Sequence, residues 1–342
     1  MSLTYTNRGP SRILTDNAAQ WPSSTWTRCT TLLPPPPWLA RRRGRAASLL
    51  CSLLWGLRLF RARRRFACAV TDGAGAGAVL AILQALLPGR RLPHVMMDCL
   101  WYRETKWWRR PLARLKFSLL GRSVSAFVVW ASAEVEDYAR ELRLPRGKLI
   151  YLPFHHTLRG YEYTVGDDGS VFAGGDGDRD YATLLAAAQA ISAPLLIATR
   201  RSEWLHPKRP LPANVTVRAL TPDEFRAAMA RARVVVVPMT AGLLHSGGQQ
   251  TYLNAMAMGK AVVVCDARGA PDYITDGVTG LVVPAGDASR LAQAVSRVLD
   301  DADLRETLGR QAAVEIERRD LSTEGCMRRI VELAEGLMRE ET

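Results

Sequence analysis

A short polar segment between two apolar stretches combines glycines with side chains that can hold a phosphate or a sugar. Its residues are His245, Ser246, Gly247, Gly248, Gln249, Gln250 and Thr251, and it leads into a helical pattern. A glycine-rich turn that opens a helix presents backbone N–H groups and the positive end of the helix dipole, which suits a diphosphate. Its hydroxyl and amide side chains suit sugar hydroxyls. Such turns also occur for packing alone, so the segment by itself leaves both interpretations open.

The residues on both sides of this turn predict strands that alternate with helices. Strands are predicted at 171–173, 194–199, 215–217, 234–238, 261–265 and 280–283, and helices at 181–191, 222–232, 250–258 and 288–299. This alternation predicts a parallel sheet with helices on both faces. The turn then lies beyond the carboxyl end of a strand, where open α/β sheets bind their ligands.

The first half of the chain predicts a second domain of the same class. Strands are predicted at 66–70, 93–97, 126–130 and 149–153, with helices at 78–87 and 132–142 after a basic amphipathic helix at 38–65. Residues 1–37 are rich in Ser, Thr, Asn and Pro, which predicts a poorly ordered leader. The expected domains are 38–155, which lacks an opening strand, and 156–342, which includes the terminal helices. We therefore expect an α/β fold with two Rossmann-like, doubly wound domains facing a central cleft.

The segment 234–287 resembles the donor-binding domain of GT-B glycosyltransferases, particularly glycosyltransferase family four (glycosyl transferases group 1). That family has a glycine turn, a helix bearing Leu-Glu-Ala-Met-Ala-x-Gly, a strand, a Gly-x-x-Glu turn and then Gly-Leu-x-x-Pro-x-Asp. Here the corresponding stretches are Leu253 to Gly259, the strand 261–265, Gly269 to Asp272 and Gly280 to Asp287. The resemblance covers about residues 171–310 and implies that this half binds a nucleotide sugar.

Two family positions differ in this sequence. The family carries two glutamates eight residues apart, one near the donor sugar and one at the ribose, and Ser246 and Asn254 stand in their places. Asn254 is still expected to bond a ribose hydroxyl, without the charge of a carboxylate. Asp272 keeps an acid where the family often has glutamate, and capping of the following turn is its alternative role.

A second glycine turn, with Gly174, Gly175 and Arg179, follows the strand 171–173. It resembles the family's first donor-domain strand, glycine turn and lysine, with Arg179 at the position of the lysine. The resemblance implies that Arg179 neutralises the diphosphate as it leaves, where negative charge develops. The alternative is a surface ion pair with a neighbouring aspartate. Arg200 and Lys208 are weaker candidates for the same role.

In the first half, Asp98 is the candidate catalytic residue. The family often places a catalytic histidine at the end of the comparable strand, and Asp98 follows the strand 93–97. It is expected to activate the acceptor hydroxyl or to steady positive charge on the sugar, and capping of the next turn is the alternative. His94 falls within the strand and is expected to be structural. Asp72 repeats the strand-end pattern with weaker support.

Charge is distributed unevenly along the chain. The net charge is +13, with 26 Lys or Arg against 8 Asp or Glu in residues 1–160. The segment 101–117 mixes aromatic and basic residues and predicts a membrane-facing surface of Trp101, Trp107, Trp108, Arg109 and Arg110. The apolar run 46–57 is shorter than the ~20 residues that span a bilayer. Single-stranded nucleic acid is the weaker alternative, because no nucleic-acid motif is present, and a merely solvated basic face is another.

Together these features predict a glycosyltransferase that moves a sugar from a nucleotide sugar to a sugar or lipid-linked acceptor at an anionic membrane surface, in glycan, polysaccharide or glycolipid synthesis. The resemblance implies a retaining reaction, and basic side chains take the place of a metal; no resident cofactor and no nucleic-acid partner are expected. Six cysteines without a C-x-x-C pair and the lack of a signal-peptide pattern predict a cytoplasmic protein at the inner face of the membrane. The alternatives are a catalytically inactive nucleotide-sugar binding module and a sugar-nucleotide epimerase of the same fold.

Overall fold

The computed structural model describes residues 12–17, 22–37, 44–201 and 210–340. The chain forms two compact units, one of Met1–Leu152 with Glu324–Thr342 and one of Pro153–Thr323. Each unit contains a sheet of six parallel strands within these described ranges. The prediction of an α/β fold with two Rossmann-like domains is confirmed.

The first sheet has the strand order β2-β1-β3-β4-β5-β6. Its strands are β1 Ile13–Thr15, β2 Thr30–Leu32, β3 Cys68–Asp72, β4 His94–Met97, β5 Ala126–Val129 and β6 Leu149–Tyr151. The connecting helices are α1 Ser24–Cys29, α2 Arg45–Ala62, α3 Gly75–Leu86, α4 Arg110–Ser123 and α5 Ser132–Glu141. Short 3-10 turns occupy Arg63–Arg65, Trp107–Arg109 and Arg146–Lys148. The predicted helix at 38–65 is observed from Arg45, and residues 38–43 lie outside the described ranges.

The prediction of a poorly ordered leader over residues 1–37 is wrong for the part that the structure describes. Residues Ile13–Thr15 form β1 between β2 and β3, and Leu14 is fully buried. The first unit was also expected to lack an opening strand, and that prediction is wrong because β1 is such a strand. A run of only three residues is too short to show a strand's alternating hydrophobic pattern. Strand β1 is stabilised instead by its burial between two neighbouring strands.

The second sheet has the order β12-β11-β10-β7-β8-β9. Its strands are β7 Val171–Gly174, β8 Leu195–Ala198, β9 Val215–Arg218, β10 Val234–Val237, β11 Ala261–Cys265 and β12 Leu281–Val283. The helices are α6 Tyr181–Ala188, α7 Pro222–Arg231, α8 Gln249–Ala257, α9 Ala288–Asp300, α10 Ala302–Arg318 and α11 Thr323–Glu340, with a 3-10 turn at Ala270–Asp272. All four valines of β10 are 0% exposed, as expected for a central parallel strand covered on both faces.

The domain boundaries differ from those expected at 155 and 156. The first crossing between the units follows Leu152, and the chain returns to the first unit from Glu324 onward. The prediction that 156–342 form one domain is therefore wrong for most of α11. The Glu324 side chain accepts hydrogen bonds from the backbone N–H groups of Ser24 and Thr25, each at 2.9 Å, so the end of the chain holds the start of α1.

Candidate functional site

The predicted phosphate turn lies where β10 leads into α8. Gly248 is the residue before the helix and adopts φ +79, a left-handed conformation that favours glycine. A Cβ atom at Gly248 would lie 2.9 Å from Sδ of Met239, so side-chain bulk is excluded as well. The turn therefore needs a glycine at this place, and the first N–H groups of α8 follow it directly.

The second glycine turn lies beside the first because β7 and β10 are neighbours in the sheet. The two loops are also joined through their backbones. Arg179 forms an antiparallel bridge with Met239, the N–H of Asp180 donates to the Pro238 carbonyl at 2.8 Å, and the N–H of Thr240 donates to the Asp178 carbonyl at 3.0 Å. The sequence-predicted residues of both turns are thus brought together at the carboxyl edge of one sheet.

The guanidinium of Arg179 connects the two turns. Its Nε donates to the Gly174 carbonyl at 3.1 Å, Nη1 donates to the Gly177 carbonyl at 2.8 Å, and Nη2 donates to Oγ1 of Thr251 at 3.0 Å. Nη1 also contacts Sδ of Met239 at 3.0 Å. Among the described residues, these contacts use four of the five guanidinium N–H groups, and the fifth is left for a ligand. Burial lowers the pKa of Arg179, but an arginine remains a cation.

The glycines of the second turn make room for this arrangement. A Cβ atom at Gly175, which has φ +126, would lie 2.7 Å from Nη2 of Arg179. A Cβ atom at Gly174 would lie 2.4 Å from the Phe225 ring. The alternative of a surface ion pair is not what the structure shows, because the described partners of the Arg179 guanidinium are Gly174, Gly177, Met239 and Thr251 and none is an aspartate. The Asp176 carboxylate pairs with Arg200, at 2.6 Å. Lys208 lies outside the described residues.

His245 and Ser246 are buried, each 2% exposed, rather than open at the surface of the turn. Nδ1 of His245 lies 2.8 Å from the Ser246 carbonyl and therefore carries the hydrogen of that bond, since a carbonyl only accepts. Nε2 lies 3.6 Å from the Asp178 carboxylate. These contacts brace the loop before α8 against the loop of Arg179.

Asn254 has a partner that the sequence did not predict. Its Oδ1 accepts the backbone N–H of Thr157 at 2.7 Å, and its Nδ2 donates to Oγ1 of Thr157 at 3.2 Å. Gln250 donates to the same hydroxyl at 3.1 Å, while Gln249 is buried. The structure therefore uses Asn254 to hold the segment that enters this unit, and it gives the expected ribose contact no support.

Comparison with known proteins identifies the segment that carries both turns. Residues 172–301 match the family model described as glycosyl transferases group 1. Residues 172–301 therefore resemble a glycosyl transferases group 1 domain, and we call them the group 1 domain. Over 61 residues the chain is 43% identical to an alpha-D-kanosaminyltransferase of Streptomyces kanamyceticus, a match that covers 18% of this chain and only 16% of that protein.

The folds of solved glycosyltransferases match over most of both chains. A sucrose-phosphate synthase from Thermosynechococcus elongatus superimposes with a TM-score of 0.72 at 20% identity, covering 91% of this chain and 84% of the other. Anabaena HepE, in a complex with UDP-glucose, superimposes with a TM-score of 0.69 at 13% identity, covering 95% and 99%. At these identities the likeness establishes the GT-B fold alone.

Outside the group 1 domain, Asp98 occupies the carboxyl end of β4 in the other unit. Its backbone is left-handed, with φ 51, which is uncommon for a residue with a side chain. Oδ1 accepts the indole N–H of Trp130 at 2.9 Å. Burial and the nearby Asp72 carboxylate raise the pKa of Asp98 to about 6. A carboxyl with a pKa near neutrality can accept or give up a proton at that pH, so Asp98 keeps its place as the candidate acid or base of this unit.

Asp16 is a neighbouring carboxylate that the sequence analysis missed. It follows β1, and its Oδ1 accepts the backbone N–H of Asp72 at 3.1 Å. Burial and the Asp72 carboxylate raise the pKa of Asp16 to about 8. The sequence could not mark Asp16 as a strand-end residue, because the strand before it, β1, was not predicted. His94 is fully buried and lies 2.7 Å from Oγ1 of Thr71, in the structural role expected.

The residues predicted to face a membrane divide into two groups. Trp107 and Trp108 are 78% and 58% exposed, and Arg109 and Arg110 are exposed beside them. Trp101 is 6% exposed, and its indole N–H donates to the Gly73 carbonyl at 3.1 Å, so its assignment to that surface is wrong. The Trp101 ring packs against the rings of Phe117, Phe127 and Tyr138. The sequence alone does not distinguish this buried tryptophan from the exposed Trp107. None of the described helices has the length and apolar character to cross a bilayer.

Proposed function

We propose that this protein transfers a sugar from a nucleotide sugar, bound by the group 1 domain, to an acceptor bound by the first unit. One observation carries the proposal: Arg179 is hydrogen-bonded to Thr251 in the first turn of α8. A permanent cation and a helix amino terminus are thereby placed together, and both favour the same anionic ligand.

The chemistry follows from where charge moves. The bond between the anomeric carbon and the diphosphate oxygen breaks, and its electron pair goes to the diphosphate. The acceptor oxygen forms the new bond and gives up its proton. Arg179 and the start of α8 stabilise the negative charge that develops on the leaving group. Because these groups supply the positive charge, we propose that the reaction needs no metal, and full activity in the presence of EDTA tests that part.

Asp98 supplies the negative group in the first unit. An ionised carboxylate can accept the acceptor hydroxyl's proton or steady positive charge on the sugar, and both roles require the deprotonated form. With a pKa of about 6, that form predominates above this pH. Transfer is therefore expected to rise with pH through about 6, and it should be lost in Asp98→Asn.

The experiment that tests the function is a transfer assay with UDP-, GDP- and ADP-sugars. Release of nucleoside diphosphate together with a glycosylated acceptor supports transfer. The anomeric configuration of the product, measured by NMR, tests the proposed retention. Conversion of the donor sugar without any acceptor would instead show an epimerase.

A non-catalytic binding module is the second candidate, and the structure gives a specific reason to test it. The two positions where the family carries glutamates hold Ser246, which is buried, and Asn254, which bonds Thr157. A pure binder would be stabilised against heat by a nucleotide sugar and yet release no nucleoside diphosphate from it.

We also propose that the first unit works at an anionic membrane from the cytoplasmic side. Leu112 and Leu115 are exposed three residues apart on one face of α4, and exposed Trp108 lies in the 3-10 turn that leads into this helix. Exposed Arg109, Arg110 and Arg114 flank them. An apolar stripe edged by arginine suits the headgroup level of a bilayer, and a lipid-linked acceptor would be met there.

A further inference from the structure

Trp130 is the one described residue that donates a hydrogen bond to the Asp98 carboxylate. The distance from its Nε1 to Oδ1 is 2.9 Å, and the indole is 4% exposed. Oδ2 of Asp98 has no hydrogen-bond donor among the described residues. The indole therefore fixes one oxygen of the carboxylate and leaves the other for a substrate.

The place of Trp130 in the fold explains how the indole is held. It follows β5, which pairs in parallel with β4, so the ends of the two strands are neighbours. The Glu134 carboxylate accepts the backbone N–H groups of Trp130 at 2.8 Å and of Ala131 at 3.0 Å. Glu134 is itself buried in the first turn of α5. The backbone of Trp130 is thus pinned, and only its ring reaches across to Asp98.

Asp98 needs such support because its own backbone is strained. A residue with a side chain at φ 51 persists when its surroundings hold it there, and strain of this kind concentrates at functional sites. An indole N–H suits the task because it only donates, so it bonds the carboxylate without competing for a proton.

We propose that Trp130 is a positioning residue, which orients the Asp98 carboxylate toward the acceptor by holding Oδ1 through its indole N–H. The proposal rests on the transfer reaction proposed above. It names no new catalytic group, since Trp130 acts through Asp98.

The electrostatic surroundings of Asp98 give the proposal a measurable signature. Burial and Asp72 raise the pKa of Asp98, and the hydrogen bond from Trp130 lowers it. The thiols of Cys99, on the adjoining loop, and Cys326, on α11, also lie near Asp98, and burial raises the pKa of each, so they remain neutral. Loss of the indole N–H should therefore move the pKa of Asp98 upward.

The test compares Trp130→Phe with Trp55→Phe. Trp55 also donates its indole N–H, to the Leu33 carbonyl, and lies in the same unit far from Asp98 in sequence. In Trp130→Phe the acidic limb of the pH–rate profile should move upward by about one unit, and kcat should fall about tenfold through lost orientation. Trp55→Phe should leave the limb in place. Identical limbs in Trp130→Phe and the wild type would overturn the proposal.

A second measurement needs neither turnover nor a tryptophan variant. The indole N–H resonance of Trp130 in the intact wild-type chain should titrate with the Asp98 carboxyl near pH 6, and Asp98→Asn should abolish that titration. A resonance that does not titrate, or that titrates equally in Asp98→Asn, would contradict the positioning role. If no donor or acceptor supports transfer, the proposed function fails while this titration still decides the role of Trp130.

Discussion

At the scale of single residues, Arg179 carries the most weight because it joins both glycine turns. Its planar guanidinium bonds two carbonyls and Thr251 at once, which a lysine ammonium cannot reproduce. Arg179→Lys keeps the charge and loses this geometry, so kcat/KM for the nucleotide sugar should fall by about 10²-fold.

The matched control for Arg179 is Arg200→Ala. Arg200 lies close by in the same unit, with a side chain 79% exposed and paired with Asp176. Exposed ion pairs contribute little, so its kcat/KM should stay within about twofold of the wild type. Equal losses in the two variants would show that general positive charge matters, and not the connection between the turns.

The sequence predicted residues at strand ends well and side-chain partners poorly. Arg179 and Gly248 could be placed because a turn after an apolar strand has one position in this fold. The burial of Trp101 and the bond from Asn254 to Thr157 could not, since each depends on a residue far away in the chain. An aromatic residue in a basic segment has the same pattern whether it faces solvent or the core.

At the scale of elements, a testable contact is the close packing of α10, at Gly309, against the residue Gly259 that follows α8. A Cβ atom at Gly309 would lie 2.1 Å from the Gly259 carbonyl oxygen, and a backbone atom cannot move aside cheaply. Gly309→Ala should lower the free energy of unfolding by about 3 kcal/mol, measured by denaturant titration.

Gly336→Ala in α11 is the control for that substitution. A Cβ atom there meets nothing within 4 Å, so the helix should gain about 0.5 kcal/mol. A Gly309→Ala variant as stable as Gly336→Ala would mean that α10 does not pack on α8 as described.

Glu324 joins the first turn of α11 to the start of α1. Burial alone would raise its pKa, but hydrogen bonds from Thr25 and Ser24 lower the pKa of Glu324 below its usual range. A carboxyl with a lowered folded pKa stabilises the fold above its unfolded pKa, and that contribution is lost as the pH falls through the folded value.

Glu324→Gln should therefore cost about 1–2 kcal/mol of unfolding free energy at pH 7. The difference from the wild type should shrink as the pH falls below the usual glutamate range. Glu332→Gln is the control, because its described contact is a surface pair with Arg328 on the same helix. A difference that stays constant from neutral to acidic pH would exclude the carboxylate as its cause.

Among the elements, the valine-rich central strands were the easiest to predict. The strand over 234–237 is apolar on both faces, and only a covered parallel strand accommodates that. Strand β1 escaped prediction because it spans three residues and precedes a proline-rich stretch. The return of α11 to the first unit was also missed, since helix periodicity says nothing of which sheet the helix covers.

At the scale of the whole molecule, the charge asymmetry predicts where the protein works. We expect the intact chain to bind vesicles containing anionic phospholipid in a flotation assay, and to bind neutral vesicles weakly. Salt at ~1 M should release the protein, because the Debye length is then only a few ångströms and the attraction between basic side chains and anionic headgroups is screened. The double substitution Trp107→Ala with Trp108→Ala should reduce binding about tenfold, since both rings are exposed.

The control for vesicle binding is Tyr161→Ala in the second unit. Tyr161 is 41% exposed, and the Arg226 guanidinium covers its ring at 3.3 Å, so it has a partner within its own unit. Its removal should leave vesicle binding unchanged. Equal binding to neutral and anionic vesicles, or equal loss in both variants, would count against the membrane surface.

The central claim is that the turn of Gly247 and Gly248, with Arg179, holds a diphosphate, and isothermal titration calorimetry tests it most directly. At least one of UDP, GDP and ADP should give a binding isotherm with the wild-type chain. The corresponding nucleoside should bind far more weakly, and Arg179→Lys should weaken the diphosphate about tenfold or more. The absence of heat with all three, or equal affinity for nucleoside and diphosphate, would contradict the claim.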